Sequence, residues 1–344
     1  MNILIAILIF SFIIIFHEFG HFITAKRCGI KVLEFSLGLG PTIVGFQGKE
    51  TKYSIKLLPF GGACMMEGED EASDSDRAFG NKPLWQRFLV VLNGPMFNFL
   101  LAFLLSLVML GFMGVDRPII GGVMDGYSAQ EAGLEAGDEI VSMNNYRVHF
   151  YREISLYTFF HPGETVEVSY LRDGEKHQAT LTPKLDEESG RYLIGVQGGT
   201  FEKVGVWGTI KHSFWWIKYQ IYTTFKSLSS LLTGMVSVNE MSGPVGIVKT
   251  IGDTYEQSVQ VSMFLAIMNL LNITILLSAN LGVMNLLPIP ALDGGRILFF
   301  LVEAIRGKKL NENVEGYVNF VSFVLLMGLM VFVMFNDITK LIGH

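Results

Sequence analysis

Four long apolar stretches dominate the hydrophobicity pattern of the chain. They cover roughly residues 2–24, 87–114, 262–284 and 316–336. Each is close to the ~20 apolar residues that an α-helix needs to cross the hydrocarbon core of a bilayer. The pattern therefore predicts a multi-span α-helical membrane protein with about four transmembrane helices.

The loop between the first two stretches has the pattern of β-strands. Thr51, Tyr53, Ile55 and Leu57 alternate with more polar residues, and glycines interrupt residues 30–63 at several points. Alternation with a period of two indicates strands, and glycine favours turns. We therefore expect short strands in this loop.

From about residue 117 to residue 200 the pattern changes to short strands separated by turns. The stretch EAGLEAGDEIVSMNN, residues 131–145, resembles the core of a PDZ domain, and the region has room for one such module. PDZ domains bind extended peptides by adding a strand to a sheet edge, so a peptide ligand is one expectation. A small β-rich spacer domain without a ligand is the alternative.

Residues 205–235 mix aromatic side chains with spaced lysines, among them Trp207, Trp215 and Lys218. This mixture is typical of an amphipathic helix that lies in the membrane interface. A fifth transmembrane helix is the alternative, and the regularly spaced lysines argue against it.

Composition and charge agree with a membrane protein. Half of the 344 residues are hydrophobic, 17% are charged, and the mean hydropathy is +0.41. A net charge of −6 without a basic tract argues against nucleic acid as a partner. With only Cys28 and Cys64, no disulfide framework is expected.

Basic residues predict the topology. Lys and Arg are frequent in the loop after the first apolar stretch and in the short connection before the last one. Because cytoplasmic loops carry an excess of Lys and Arg, both connections are expected in the cytoplasm, and both termini and the PDZ-like region outside it. No Lys or Arg precedes the first stretch, while Lys26 and Arg27 follow it, so we expect a retained span rather than a signal peptide.

The motif HEFGH, residues 17–21, lies at the end of the first apolar stretch. On a helix, His17 and His21 project from one face and can bind one metal ion, with Glu18 beside them to accept a proton from water. A histidine in a span is often only a packed, hydrogen-bonded residue. Three ionisable groups in a bilayer segment are costly, however, and favour a metal site.

A catalytic zinc ion usually has three protein ligands and an open position for water. The stretch NLGVMNLLPIPALDGGRILF, residues 280–299, is broken by Pro288 and Pro290, and Asp293 follows the break. Asp293 and the two histidines are expected at a similar, cytoplasmic depth of the membrane. An N-cap role is the alternative for Asp293, and the matching depth favours the metal.

The motifs together resemble the site-2 protease family of intramembrane zinc metalloproteases, over nearly the whole chain. The bacterial regulator-of-sigma-E protease type is the most similar branch, although this chain has room for a single PDZ domain where some bacterial members have two. The resemblance rests on HEFGH, on NGPMFN (93–98), on the PDZ-like insert, on SGPVGI (242–247) and on NLLPIPALDGG (285–295). In addition, SLGLGP (36–41) and the strands after it resemble the membrane-associated β-hairpin element of the family, which the resemblance places on the cytoplasmic side.

The resemblance implies a role for each site residue. His17, His21 and Asp293 would bind Zn²⁺, and Glu18 would be the catalytic base. The substrate backbone would be bound by Asn280, Asn285 and Pro288. Asn93 and Asn98 either line the site or form hydrogen bonds between helices.

The expected activity is hydrolysis of peptide bonds within or near transmembrane segments of single-span membrane proteins, such as anti-sigma factors and signal-peptide remnants. The enzyme would lie in the lipid bilayer of the bacterial inner membrane, with its active site near the cytoplasmic side and the PDZ domain outside. A catalytically inactive membrane PDZ scaffold and a metal-ion transporter are the alternatives.

We expect four regions along the chain. Residues 1–115 form the N-terminal half of the protease core, 116–202 the PDZ domain, 203–261 an interfacial helix with a linker, and 262–344 the C-terminal half of the core.

Overall fold

The computed structural model describes residues 2–69, 73–198, 201–237 and 242–342. The helices, numbered along the chain, are α1 (Asn2–Arg27), α2 (Leu84–Met113), α3 (Ser128–Glu131), α4 (Tyr151–Phe160), α5 (Gly205–Leu232), α6 (Pro244–Val261), α7 (Met263–Asn285), α8 (Asp293–Arg306) and α9 (Glu312–Ile342), with a 3₁₀ turn at Phe79–Asn81.

The strands are mostly short. They are β1 (Val32–Gln47), β2 (Lys52–Met66), β3 (Val115–Asp116), β4 (Ile120–Val123), β5 (Glu139–Met143), β6 (Tyr146–Arg147), β7 (Val166–Arg172), β8 (Glu175–Leu181), β9 (Lys184–Asp186), β10 (Arg191–Leu193), β11 (Val196–Gly198) and β12 (Phe201–Glu202).

Four helices among the described residues are long and apolar enough to cross a membrane. They are α1, α2, α7 and residues 313–341 of α9. These helices coincide with the four apolar stretches of the sequence, so the prediction of a multi-span helical protein is confirmed.

The described residues form two compact units, one of residues 1–105 and 237–344 and the other of residues 106–236.

In the first unit, α1, the β1–β2 pair, α2 and α8 share a small apolar core. Its buried members include Ala25, Val32, Val90 and Phe300. Near this core, Arg87 of α2 forms a two-pronged ion pair with Glu303 of α8, so α8 is fastened to α2.

Strands β1 and β2 are long, but each one bends. Gly38, Gly40 and Gly61 adopt positive φ angles of +85°, +88° and +80°, which glycine tolerates best. As a result, residues 34–37 have register partners on two sides, residues 52–55 and residues 62–65. The segment 62–65 lies along α1 at one edge of this sheet, because Gly62 packs against Ile14 and Glu18.

The second unit is built around a four-stranded sheet in the order β6-β5-β7-β8. Its core includes Ile140, Val168 and Leu181 from the sheet and Ile154 and Tyr157 from α4. Phe150, just before α4, is fully buried, and its ring contacts Trp216 of α5. Helix α5 therefore packs on this β-rich unit.

Candidate metal centre and active site

Two imidazoles meet on one face of α1. His17 and His21 are one helical turn apart, both are 8% exposed, and their Nε2 atoms lie 3.2 Å from each other. The α-helical repeat of 3.6 residues directs side chains at i and i+4 to the same side, so local helix geometry is sufficient to bring them together.

Asp293 completes a triangle with these nitrogens. Its Oδ2 atom lies 3.3 Å from Nε2 of His17 and 3.5 Å from Nε2 of His21. The three residues form a group whose ligand atoms converge. Asp293 is the first residue of α8, and Leu292 occupies the N-cap without a side-chain hydrogen bond, so Asp293 does not act as the N-cap.

This triangle has the size of one face of a zinc site. Ligands about 2.0–2.1 Å from a tetrahedral zinc ion are separated by about 3.3–3.4 Å, and the three separations found here are 3.2, 3.3 and 3.5 Å. Oδ2 of Asp293 is buried and accepts no well-oriented hydrogen bond from the described residues. A buried carboxylate oxygen without a hydrogen bond, this close to two ring nitrogens, fits a shared cation, and zinc suits a set of two histidines and one carboxylate.

Glycines make room for the histidines where α1 and α2 cross. A Cβ atom on Gly94 of α2 would lie 2.2 Å from Nε2 of His21 and 2.9 Å from Cε1 of His17. A Cβ atom on Gly20 would lie 2.2 Å from the carbonyl oxygen of Asn93. The two helices therefore approach closely only because both positions lack a side chain.

Each imidazole has a partner for its second ring nitrogen on α2. Nδ1 of His21 lies 2.9 Å from the carbonyl oxygen of Val90, and Nδ1 of His17 lies 3.1 Å from the side-chain amide of Asn98. Asn93 instead donates to Oγ1 of Thr24 at 2.9 Å, which is a hydrogen bond between helices. Of the two asparagines in NGPMFN, Asn98 contacts a candidate ligand.

Glu18 lies next to the two histidines in α1 and is partly buried. Its side chain packs against the edge segment of β2, since a Cβ atom on Gly62 would be 2.8 Å from Cγ of Glu18. The candidate base is therefore placed between the candidate metal ligands and a strand edge.

The segment that leads into Asp293 is tightly wound. Ala291 adopts φ +76°, and its backbone amide donates to Oδ1 of Asn319 in α9 at 3.1 Å. There is no space for a side chain at Gly294 or Gly295. A Cβ atom on Gly294 would lie 2.1 Å from the carbonyl oxygen of Leu287, and one on Gly295 would lie 2.5 Å from that of Ile289. The backbone of this loop thus fixes where α8 begins.

The remaining predicted residues lie along the same part of the chain. Asn280 is inside α7, Asn285 is its last residue, and Pro288 is in the loop between α7 and α8. The structure thus brings His17, His21 and Asp293 together with Glu18 alongside, and it places Asn285 and Pro288 on the segment leading to Asp293.

Sequence reasoning missed three contributors to this site. The importance of Gly94 depends on the crossing of α1 and α2, which the sequence does not show. Its position before Pro95 within an apolar helix was the one indication of a special role. Asn319 was detectable as a polar residue in an apolar stretch, which is uncommon without a function or a partner. Val90 contributes only its backbone carbonyl, so no sequence signal could identify it.

The chain is similar to known proteins over most of its length. The model of peptidase family M50 matches residues 5–329. A protein of Clostridium acetobutylicum, named as a proposed zinc metalloprotease, is 39% identical, with 98% of this chain and 97% of that protein covered.

Two further relatives have names that mention a protease. The zinc metalloprotease RasP of Geobacillus kaustophilus is 32% identical, and the regulator of sigma-W protease RasP of Bacillus subtilis is 33% identical. Both alignments cover 97% of this chain and 97% of the relative.

A solved structure of the PDZ domain of an SdrC-like protein from Listeria monocytogenes is 24% identical. The alignment covers 24% of this chain and 87% of the Listeria chain, and its TM-score is 0.22. The match of the family model and the near-complete alignments lead to one conclusion: this chain belongs to peptidase family M50.

Proposed function

We propose that this chain is an intramembrane zinc metalloprotease that hydrolyses peptide bonds within or near transmembrane segments of other membrane proteins. One observation carries the proposal: the ligand atoms of His17, His21 and Asp293 converge beside Glu18. Glu18 and both histidines lie in α1, a helix that is apolar enough to span a bilayer. Membership of peptidase family M50 supports the reaction class, and the names of several relatives support zinc.

His17, His21 and Asp293 would hold the zinc ion through the three atoms that face one another. When bound, zinc lowers the pKa of a water molecule toward about 7 and polarises a carbonyl group. Glu18 would accept the proton of the attacking water and deliver it to the departing amide nitrogen. Burial of Glu18 under the strand edge keeps bulk water away from this proton transfer.

The substrate must be unwound before it can be cut, because the carbonyl groups of a helix are already hydrogen-bonded. In a bilayer every freed backbone group needs a new partner. Asn280, Asn285 and Pro288 are proposed to bind the unwound backbone. The edge formed by residues 62–65 supports this role, since it lies against Glu18 and pairs with residues 34–37 on its other side.

The β1–β2 element is proposed to lie in the membrane surface on the cytoplasmic side. Its outer part exposes Ile43, Val44 and Phe46, each at least 60% exposed. Contiguous exposed apolar side chains of this kind are usually covered by a partner or a membrane.

The enzyme is proposed to lie in the inner membrane of a bacterium, with the active site near the cytoplasm and the PDZ domain outside. The distribution of Lys and Arg supports this orientation. The substrates would be single-span proteins, including membrane-bound anti-sigma factors and signal-peptide remnants. The name of the Bacillus subtilis relative supports a link to sigma-factor control.

The decisive experiment is cleavage of a model single-span substrate by the purified protein in detergent, with bound zinc measured in the same samples. We expect Glu18→Gln to retain zinc and lose cleavage, and Asp293→Asn to lose zinc. Asp253→Asn is the matched control, because Asp253 is an exposed carboxylate of α6, and it should behave as the wild type.

Cleavage by Glu18→Gln at the wild-type rate, or a wild-type protein that binds no zinc, would overturn the proposal. A membrane scaffold with a PDZ domain would then be the better description.

A further inference from the structure

The two histidines of the site differ in the partner of their second ring nitrogen. A neutral imidazole carries one proton, so Nε2 can offer a lone pair to a metal ion only if Nδ1 carries the hydrogen. Nδ1 of His21 lies 2.9 Å from the carbonyl oxygen of Val90, which can only accept a hydrogen bond. This contact fixes His21 in the form that leaves Nε2 free for a metal.

The partner of His17 is the side-chain amide of Asn98, which has a donor end and an acceptor end. The amide nitrogen is placed 3.1 Å from Nδ1 of His17, and the amide oxygen is buried without a hydrogen-bond partner among the described residues. In this orientation Nδ1 would have to accept, and the proton would be on Nε2, pointing toward Asp293. His17 could then not bind the metal ion.

Rotation of the amide by 180° exchanges its two ends. The oxygen then faces Nδ1 of His17, accepts its proton and leaves Nε2 with a free lone pair. The nitrogen and oxygen of an amide have nearly the same shape, so the hydrogen-bond network decides between the two orientations. The amide oxygen of Asn98 is buried without a hydrogen bond, and Nδ1 of His17 must donate one if His17 binds a metal ion. Both facts favour the rotated orientation, in which the oxygen faces Nδ1.

Asn98 is also held firmly in place. It is fully buried in α2, and its backbone carbonyl accepts a hydrogen bond from Oγ of Ser278 in α7 at 2.8 Å. Ser278 is fully buried as well. A third helix thus fixes the residue that contacts His17.

We propose that Asn98 is a positioning residue for His17: its amide oxygen accepts the Nδ1 proton and directs the Nε2 lone pair into the metal centre. The inference rests on the proposed function, because it assumes that His17 is a ligand. Loss of a hydrogen-bond acceptor behind a metal-bound histidine typically lowers metal affinity 10- to 100-fold.

The test is the zinc affinity of the full-length protein in detergent, measured by competition with a chelator. Asn98→Leu and Asn98→Ala remove the acceptor, and each should bind zinc about 10- to 100-fold more weakly. Asn98→Asp retains an oxygen of the same reach and should bind within a few-fold of the wild type. Asn93→Leu is the control on the same helix, because the side-chain amide of Asn93 donates its hydrogen bond to Thr24.

Two results would overturn the inference while leaving the metal site intact. One is wild-type zinc affinity in both Asn98→Leu and Asn98→Ala. The other is an Asn98→Asp variant that loses as much affinity as they do, because Asp has the same shape and an oxygen acceptor, so the amide nitrogen and not the oxygen would then be what the site requires. A wild-type protein without zinc would instead refute the proposed function itself.

Discussion

Oδ2 of Asp337 accepts a hydrogen bond from the backbone amide of Gly246 at 2.8 Å, so an acidic residue of α9 caps the start of α6. The second oxygen, Oδ1, accepts from the amide of Gly243 at 3.1 Å. Asp337 is 4% exposed. The amides of a first helical turn have no partner within their own helix, and here a carboxylate from another helix supplies one.

The cap predicts how Asp337 affects stability. Asp337→Ala should destabilise the first turn of α6 by about 1–2 kcal/mol, the usual effect of losing a cap. Hydrogen exchange at the amides of Gly243, Gly246 and Ile247 measures this directly. Asp337→Asn keeps one oxygen acceptor and should give an intermediate loss. Unchanged protection in Asp337→Ala would show that the first turn does not depend on the carboxylate.

Gly94 should be essential for zinc binding. In Gly94→Ala, the new methyl group would lie 2.2 Å from Nε2 of His21, which is too short for any contact, so the imidazole or the helix must move. We expect zinc measured by elemental mass spectrometry to fall to a small fraction of the wild-type content.

Gly111→Ala is the control for Gly94→Ala on the same helix. Among the described residues, a methyl group there meets Cγ2 of Thr209 alone, at an ordinary 4.0 Å, and the zinc content should remain unchanged. Full zinc in Gly94→Ala would mean that α1 and α2 cross less closely than described.

Asn319 should maintain the position of Asp293. A residue with a side chain at φ +76°, as at Ala291, is strained by about 1–2 kcal/mol, and the hydrogen bond to Asn319 helps to hold it. Asn319→Leu should weaken zinc binding several-fold in a chelator titration, whereas Asn319→Asp retains an acceptor and should restore most of it. Equal affinities in Asn319→Leu and the wild type would exclude this role.

The ion pair between Asp138 and Arg172 should make the stability of the β-rich unit depend on pH. Burial raises the pKa of Asp138, but the hydrogen bonds from Arg172 and from the Glu135 amide more than offset it and hold this pKa below its usual value. A lowered pKa means that the folded state favours the charged carboxylate. Its stabilisation is complete above about pH 3.9, the usual value, and is lost as the pH falls further.

Asp138→Asn should therefore cost about 2 kcal/mol at pH 7, and the cost should decrease as the pH falls below the usual Asp pKa. Hydrogen exchange in β7 of the full-length protein, corrected for intrinsic rates, measures this difference. Asp173→Asn is the matched control, because Asp173 follows β7 directly and forms no ion pair within the part of the chain that the structure describes. Its replacement should have little effect at either pH. A pH-independent loss in Asp138→Asn would assign the effect to packing instead of charge.

The long apolar stretches and the HEFGH motif could be read from the sequence because they depend on local geometry. A helix long enough to cross a bilayer needs only apolar residues, and the spacing of His17 and His21 needs only one helical turn. Asp293 is distant in sequence, and it was predicted from its expected depth in the membrane rather than from any contact.

The other elements depend on tertiary structure and could not be predicted in the same way. The sequence predicts only a linker where the structure has helix α6. The start of this helix is stabilised by Asp337, which is far away in sequence, so local sequence does not reveal it. The short strands expected over residues 30–63 are instead two long strands, because Gly38 and Gly61 bend them without ending them. Gly94 and Asn319 acquire their roles only when the helices have packed.

The proposed metal centre joins two parts of the chain that are far apart in sequence, since His17 and His21 lie in α1 and Asp293 begins α8. During synthesis, the two histidines enter the membrane long before the ribosome reaches Asp293. The growing chain therefore cannot form the proposed ligand set, and would have no protease activity, until α8 has been made. A ribosome that stalls before α8 would leave a product without the proposed ligand set, and such a product could not cleave neighbouring membrane proteins.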